Sequence, residues 1–288
     1  MPPLTPVVKN LLIINVAIFA LIFLGSYIGL PTAAWAQDLA LYYPTSENFR
    51  PIQLVTHFFM HGGLTHIFFN MFGLYMFGPL LEMRYGPKRF LILYLLAAAG
   101  AVLLHFGYTW FQINHLQEML ASFETAPTLA NFNAFFRGID TRSLTMDNGQ
   151  QVSTLVAELQ NALVLKNADP AQTLRNAIGI MQEYIDFKAS VPMVGASGAI
   201  YGIVAAFAIL YPDFKLMLIF LPIPIKARYF VPVLLAIEVF LGIMEYSWDP
   251  IAHWAHLGGA LFGGLLAFIW SRTDPPAGAR RWDRGVPR

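Results

Sequence analysis

The sequence predicts an all-α, polytopic membrane protein: six spanning helices in a bundle, with a helical extramembrane insertion between the third and fourth. Three observations predict it. The 288 residues are 57% hydrophobic and only 12% charged, against about 25% charged in an average soluble domain. Six apolar segments are long enough, or nearly so, to cross the ~30 Å hydrocarbon core. Cations cluster in alternate loops, as the positive-inside rule requires of a chain that crosses an even number of times. The same composition excludes other classes. A net charge of +1 offers no field for nucleic acid. The absence of cysteine excludes disulfides, thiolate metal sites and a cysteine nucleophile.

The apolar segments fall roughly at 9–29, 62–81, 89–108, 197–212, 229–246 and 252–270. The first carries about 20 apolar residues, longer than the ~7–15 of a signal-peptide core, and reads as a span. Lys9, then Arg84, Lys88 and Arg89, then Lys215, Lys226 and Arg228, and finally Arg272, Arg280, Arg281, Arg284 and Arg288 mark one side. The loop 30–61 holds one cation, Arg50, and the link between the last two spans holds none. Both termini are therefore expected in the cytoplasm. The fourth segment is short, as for a helix that begins below the membrane surface. Residues 216–225, LMLIFLPIPI, are interrupted by Pro222 and Pro224. They are expected as a half-buried stub at the inner face, since ten helical residues reach only about 15 Å.

These boundaries divide the chain into a transmembrane core at 1–108, an extracytoplasmic insertion at 109–190, a second core part at 191–271 and a basic tail at 272–288. The insertion mixes polar and apolar residues at helical spacing. Asp169 is the expected N-cap and Pro170 the first residue of a helix whose stripe is Leu174, Ile178, Met181 and Ile185. TLVAELQNALVLK gives a second amphipathic helix, and DNGQ at 147–150 a turn. The tail, rich in Pro, Gly and Arg, reads as disordered and able at most to bind a lipid surface.

Polar side chains in spanning helices are costly, so each needs a reason. Three sets stand at the outer ends: His57, His61, His66 and Asn70 at the second segment, Ser197 at the fourth, and His253 and His256 at the sixth. A serine hydroxyl is a weak nucleophile unless a base takes its proton, and imidazole suits that task at neutral pH. His256, Gly259 and Gly263 share a helix face that can pack against Gly198 and Gly202 and bring His256 beside Ser197. His66 and Asn70 also share a face. Their N–H donors, with the backbone N–H of Ser197, can stabilise an oxyanion. Each residue also has a plainer explanation. G-x-x-x-G is common packing grammar, and a lone serine in a membrane helix is usually a packing residue. His57 and His61 are read as structural and His253 as facing water. A His253/His256 metal pair lacks H-E-x-x-H spacing and an obvious third ligand, so no metal is expected. Joint occurrence at one depth favours the chemical reading.

Taken together these residues resemble the rhomboid family of intramembrane serine proteases. GASG at 195–198 resembles its nucleophile motif, AHLGGALFG at 255–263 its histidine motif, HGGLTHIFFN at 61–70 its second-helix pattern, and LEMRYG at 81–86 the cap after that helix. The resemblance implies a six-helix rhomboid-like bundle and a Ser–His dyad of Ser197 and His256 with no acidic third member. It further implies His66 and Asn70 as oxyanion partners, Tyr201 packed under the imidazole, and Gly195, Gly198 and Gly259 as supporting residues. Ile52 stands where the family often has Trp in its first loop. The implied substrate is a single-span membrane protein that enters sideways past the second and fifth helices, with no cofactor. A bacterial inner membrane fits so compact a form. Two rivals belong to other classes. A non-cleaving rhomboid-like binding or escort protein would typically lack the serine or the histidine. A small transporter would use midplane ionisable groups, of which Glu238 is the sole candidate.

Overall fold

The computed structural model describes residues 3–145, 150–165, 169–218 and 221–273. Most of the expected turn at 147–150 and the basic tail beyond Thr273 lie outside the described residues. Pro6, whose fixed φ suits a first helical turn, opens α1 (Pro6–Gly25). The amides of that turn have no partner within the helix. Glu82 caps them from the second span, accepting from Val7 N at 3.0 Å, Val8 N at 2.9 Å and the Thr5 hydroxyl at 2.5 Å. The cap motif of the sequence therefore fastens one spanning helix to the start of another.

The loop after α1 contains two short helices, α2 (Thr32–Leu39) and α3 (Gln53–Thr56). Gln53, wholly buried, holds this loop together. Its Oε1 accepts from Arg50 N at 3.0 Å, and its Nε2 donates to Asn48 O at 2.9 Å and Asp38 O at 3.0 Å. Ile52 is exposed, so the loop is secured by a buried amide rather than by an aromatic anchor. Helix α4 (Leu64–Tyr85) ends at Gly86, whose φ of 79° turns the chain straight into α5 (Pro87–Thr125).

The 39 residues of α5 correct one boundary of the sequence reading. The span expected at 89–108 continues unbroken into the insertion, because no proline or glycine interrupts 108–125. At 1.5 Å per residue the helix is about 58 Å long, well beyond a bilayer core. On its far end pack α6 (Leu129–Phe135) and α8 (Pro170–Ala189), with α7 (Val152–Leu165) against those two. Phe123, Phe132, Phe135, Met181 and Ile185 form a separate core there. Asp169 caps α8, accepting from Ala171 N at 2.9 Å, and the stripe expected on α8 faces that core.

Helix α9 (Ser197–Leu210) has 14 residues, too few to cross unaided. It is the most enclosed of the apolar helices, with Gly198 through Ile200 and Gly202 through Phe207 all buried. The stub expected at 216–225 is instead an antiparallel hairpin, β1 (Lys215–Leu218) with β2 (Leu221–Lys226), pairing Lys215 with Lys226 and Leu216 with Ile225. Pro222 and Pro224 forbid a helix interior, and lying two apart they leave their missing N–H groups on one strand edge. Asp213, before the hairpin, pairs with Lys226 at 2.9 Å and with Arg228. These cations hold its carboxyl below the usual carboxylate range. Helices α10 (Ala227–Met244) and α11 (His253–Thr273) complete the bundle.

Five helices are long and apolar enough to span among the described residues, and α9 is the shorter sixth. Small residues set the contact between α9 and α11. A Cβ on Gly202 would lie 2.8 Å from Gly259 O, and one on Gly263 would lie 2.6 Å from the Gly202 carbonyl carbon. The two backbones touch along the face that the glycine spacing suggested.

Candidate active site

Ser197 is the first residue of α9. The loop before it is held by backbone bonds on two sides. Leu41 and Met193 exchange N–H···O bonds of 2.9 and 2.8 Å, and Gly195 N donates to His57 O at 2.8 Å. Gly195 adopts a φ of 110°, a conformation open to glycine and costly for other residues. A Cβ there would also come within 2.7 Å of His66 Nε2 and 3.6 Å of Asn70 Nδ2. His66 and Asn70 therefore stand against the backbone two residues before Ser197. Asn70 is buried and donates to His66 O at 3.1 Å, while His66 Nδ1 accepts from Gly62 N at 3.3 Å.

On the other side, His256 Nε2 lies 2.8 Å from Ser197 Oγ. The Tyr201 ring stacks on the imidazole, centroids 4.2 Å apart and planes 8° from parallel. Gly259, one turn further along α11, meets the Gly198 carbonyl so closely that a side chain has no room. Ser197, His256, His66, Asn70 and the supporting Gly195, Gly198, Tyr201 and Gly259 thus come together at the end of the bundle that bears the insertion.

Two expectations need correction. His253 does not face water. It is 6% exposed, with Nδ1 at 2.6 Å from Glu238 Oε2 and Nε2 at 3.0 Å from Asp249 Oδ2. An acidic group does stand behind the second imidazole as well. Glu238 Oε2 is 2.9 Å from His256 Nδ1, and Tyr201 donates its hydroxyl to Oε1 of the same carboxylate. Glu238, His253 and His256 therefore form a set of three potential metal ligands, which the sequence spacing did not reveal. The separations of 2.6 and 2.9 Å are those of N–H···O hydrogen bonds. Sequence reasoning could have found Asp249, which lies four residues before His253. His57 and His61 lie in the loop before α4. His57 is buried and its Nδ1 lies 2.6 Å from Gln53 O. Burial pushes both imidazoles down to about 4, for His61 with the help of neighbouring His66.

The family model described as the Rhomboid domain matches residues 48–114 and 173–273. The chain belongs to the rhomboid family. The match passes over most of the insertion and covers the whole of α9, α10 and the described part of the sixth span. An uncharacterized mitochondrial rhomboid protein of Schizosaccharomyces pombe is 28% identical over 228 residues, 77% of this chain and 52% of the relative. The presenilin-associated rhomboid-like protein, mitochondrial, of Homo sapiens is 27% identical over 178 residues, 58% of this chain and 44% of the relative. Rhomboid protein 1, mitochondrial, of Saccharomyces cerevisiae is 31% identical over 90 residues, 31% of this chain and 25% of the relative. The matched regions thus span from a quarter to about half of these rhomboids' length. No solved structure matches. This rhomboid is a multi-pass membrane protein. Its relatives carry mitochondrial names, so they lend no support to a bacterial inner membrane.

Proposed function

We propose that this rhomboid is a serine endopeptidase that cuts the transmembrane segment of single-span membrane proteins, with Ser197 as nucleophile and His256 as base. The 2.8 Å separation of His256 Nε2 and Ser197 Oγ carries the reading, since it is the reach a general base needs. As Oγ bonds to the scissile carbonyl carbon, its proton passes to Nε2. The carbonyl oxygen becomes an oxyanion that the backbone N–H of Ser197, the first residue of α9, can meet, since an amide at that position has no partner within the helix. His66 and Asn70 add side-chain donors beside them. The Nε2 proton then moves to the leaving amine as the C–N bond breaks, and a water repeats the sequence to release the acid.

Hydrolysis needs water, so the catalytic end must open to the aqueous phase on the side of the insertion, opposite the cation-rich loops. A helical substrate shields its own peptide bonds and must unwind locally, which favours a small residue at the cut and Gly or Pro nearby. Entry between α4 and α10 fits a substrate arriving from the bilayer. The chemistry calls for no cofactor. A fluorophosphonate probe is expected to label the detergent-solubilised protein at Ser197 and to leave Ser197→Ala unlabelled. Equal labelling of the two proteins would refute the reading. So would undiminished cleavage of a single-span substrate by His256→Ala.

A further inference from the structure

We propose that Glu238 is a positioning residue for His256, held by His253 and Asp249 behind it, so that the reacting pair works as a Ser–His–Glu group. The inference rests on the serine-endopeptidase reading and adds to it the origin of the imidazole's tautomer and charge.

A carboxylate in the interior of a spanning helix is expensive and persists where its lone pairs are met. Those of Glu238 are met three times, by Tyr201 at one oxygen and by the Nδ1 atoms of His253 and His256 at the other. Glu238, His253 and His256 are all buried, the last 8% exposed. An ionised carboxylate only accepts. His256 must therefore carry hydrogen on Nδ1, which leaves Nε2 bare to receive the Ser197 proton. Had Nε2 held the hydrogen, the ring's lone pair would lie on Nδ1, turned toward the carboxylate and away from Ser197, so the contact with Glu238 selects the competent form.

Charge balance points the same way. His253 has a carboxylate oxygen against each ring nitrogen, Glu238 at 2.6 Å and Asp249 at 3.0 Å. It can donate to both at once only as imidazolium. Two carboxylates and one imidazolium leave the cluster one unit negative while His256 is neutral. When His256 takes the serine proton, the cluster becomes neutral. The group is thus complementary to the state that exists at the top of the barrier. Tyr201 ties the parts together, stacking on the ring with its face and donating to Glu238 with its hydroxyl.

The test compares kcat and the pH profile of kcat/KM for cleavage of a single-span substrate by purified full-length variants, with Ser197→Ala as the baseline. Around the imidazole the titratable groups are Ser197 and Tyr201 on α9, Glu238 on α10, His253 on α11 with Asp249 before it, and His66 on α4. Glu238→Gln is expected to lower kcat about 10²- to 10⁴-fold, as loss of the orienting carboxylate does in a serine triad. It should also move the acid limb to lower pH, because a negative charge beside the imidazole is lost. Glu238→Asp should recover part of the rate. His253→Gln removes a positive charge and should move the acid limb the opposite way, upward. It also serves as the readout if Glu238→Gln does not fold. A purely structural Glu238 would leave the limb of both variants where it is in the wild type, and that result would overturn the proposal. If Ser197→Ala cleaves like wild type, the endopeptidase reading itself fails, whatever Glu238 does.

Discussion

Gly259→Ala probes the contact on which the whole site depends. The added Cβ would lie 2.6 Å from the Gly198 carbonyl carbon and 3.1 Å from its Cα, with the carbonyl oxygen nearer still. Carbon atoms rest comfortably at about 3.5–4.0 Å, so α9 and α11 must part by roughly 1 Å. That displacement would stretch the 2.8 Å bond between His256 and Ser197 to nearly 4 Å, by the same estimate, beyond the ~3.2 Å reach of proton transfer. A misplacement of this size costs on the order of 10²-fold in rate, and the overpacking itself costs about 1–3 kcal/mol of stability. Gly264→Ala is the control on the same helix, because its Cβ would meet only ordinary contacts of 3.6 Å to Ala205 and Ile209. The assay is fluorophosphonate labelling rate and substrate cleavage, normalised to protein that melts cooperatively in detergent. Gly259→Ala labelling as fast as Gly264→Ala would show that backbone contact does not set the reacting distance.

Other contacts can be perturbed in the same way. Gly195→Ala forces a side chain into a φ of 110° and against His66. It should cut cleavage at least about tenfold with little loss of helicity by circular dichroism. Glu82→Gln replaces one acceptor oxygen with a donor facing the Thr5, Val7 and Val8 groups, and should lower stability by about 1–3 kcal/mol in a detergent melt. Acid should weaken the fold through His57 and His61, whose imidazoles burial holds down to about 4. Below the ordinary value of 6.5 the unfolded chain takes up protons that the folded chain refuses. Stability is therefore full above that pH and declines as pH falls toward 4, by up to about 3 kcal/mol per group. His57→Gln should flatten part of the decline in a pH series of melting midpoints.

The sequence was most informative where a physical constraint acts along the chain itself. Bilayer thickness sets a length, so the six apolar helices could be placed, and capping chemistry located Asp169 and Pro170 at the start of α8. The glycines of α9 and α11 and the paired His66 and Asn70 were legible because helical periodicity puts them on one face. The β1–β2 hairpin was missed because a ten-residue apolar run was read for length alone, with two prolines treated as interruptions rather than as strand edge residues. The extent of α5 was missed because polarity was allowed to end a helix that nothing in its backbone ends. Gln53 gave no local signal, since its partners come from loop carbonyls and amides up to fifteen residues away. Glu238 was noticed as an acid in a span, yet its partner could not be read. The imidazoles it meets are 15 and 18 residues further on, across a turn whose geometry the sequence does not spell out.

Helix α10 buries 22% of its spanning window, half the 44% of α11. On the proposed reading, the acid set to steady the base thus rides on a lightly seated rod at the rim, while the base and the alcohol sit on rods locked together by glycine. A guest that shouldered this rod aside on its way in would unhook the acid and leave the imidazole idle. Cutting would wait for the rod to swing home behind the guest, so that admission and scission take turns.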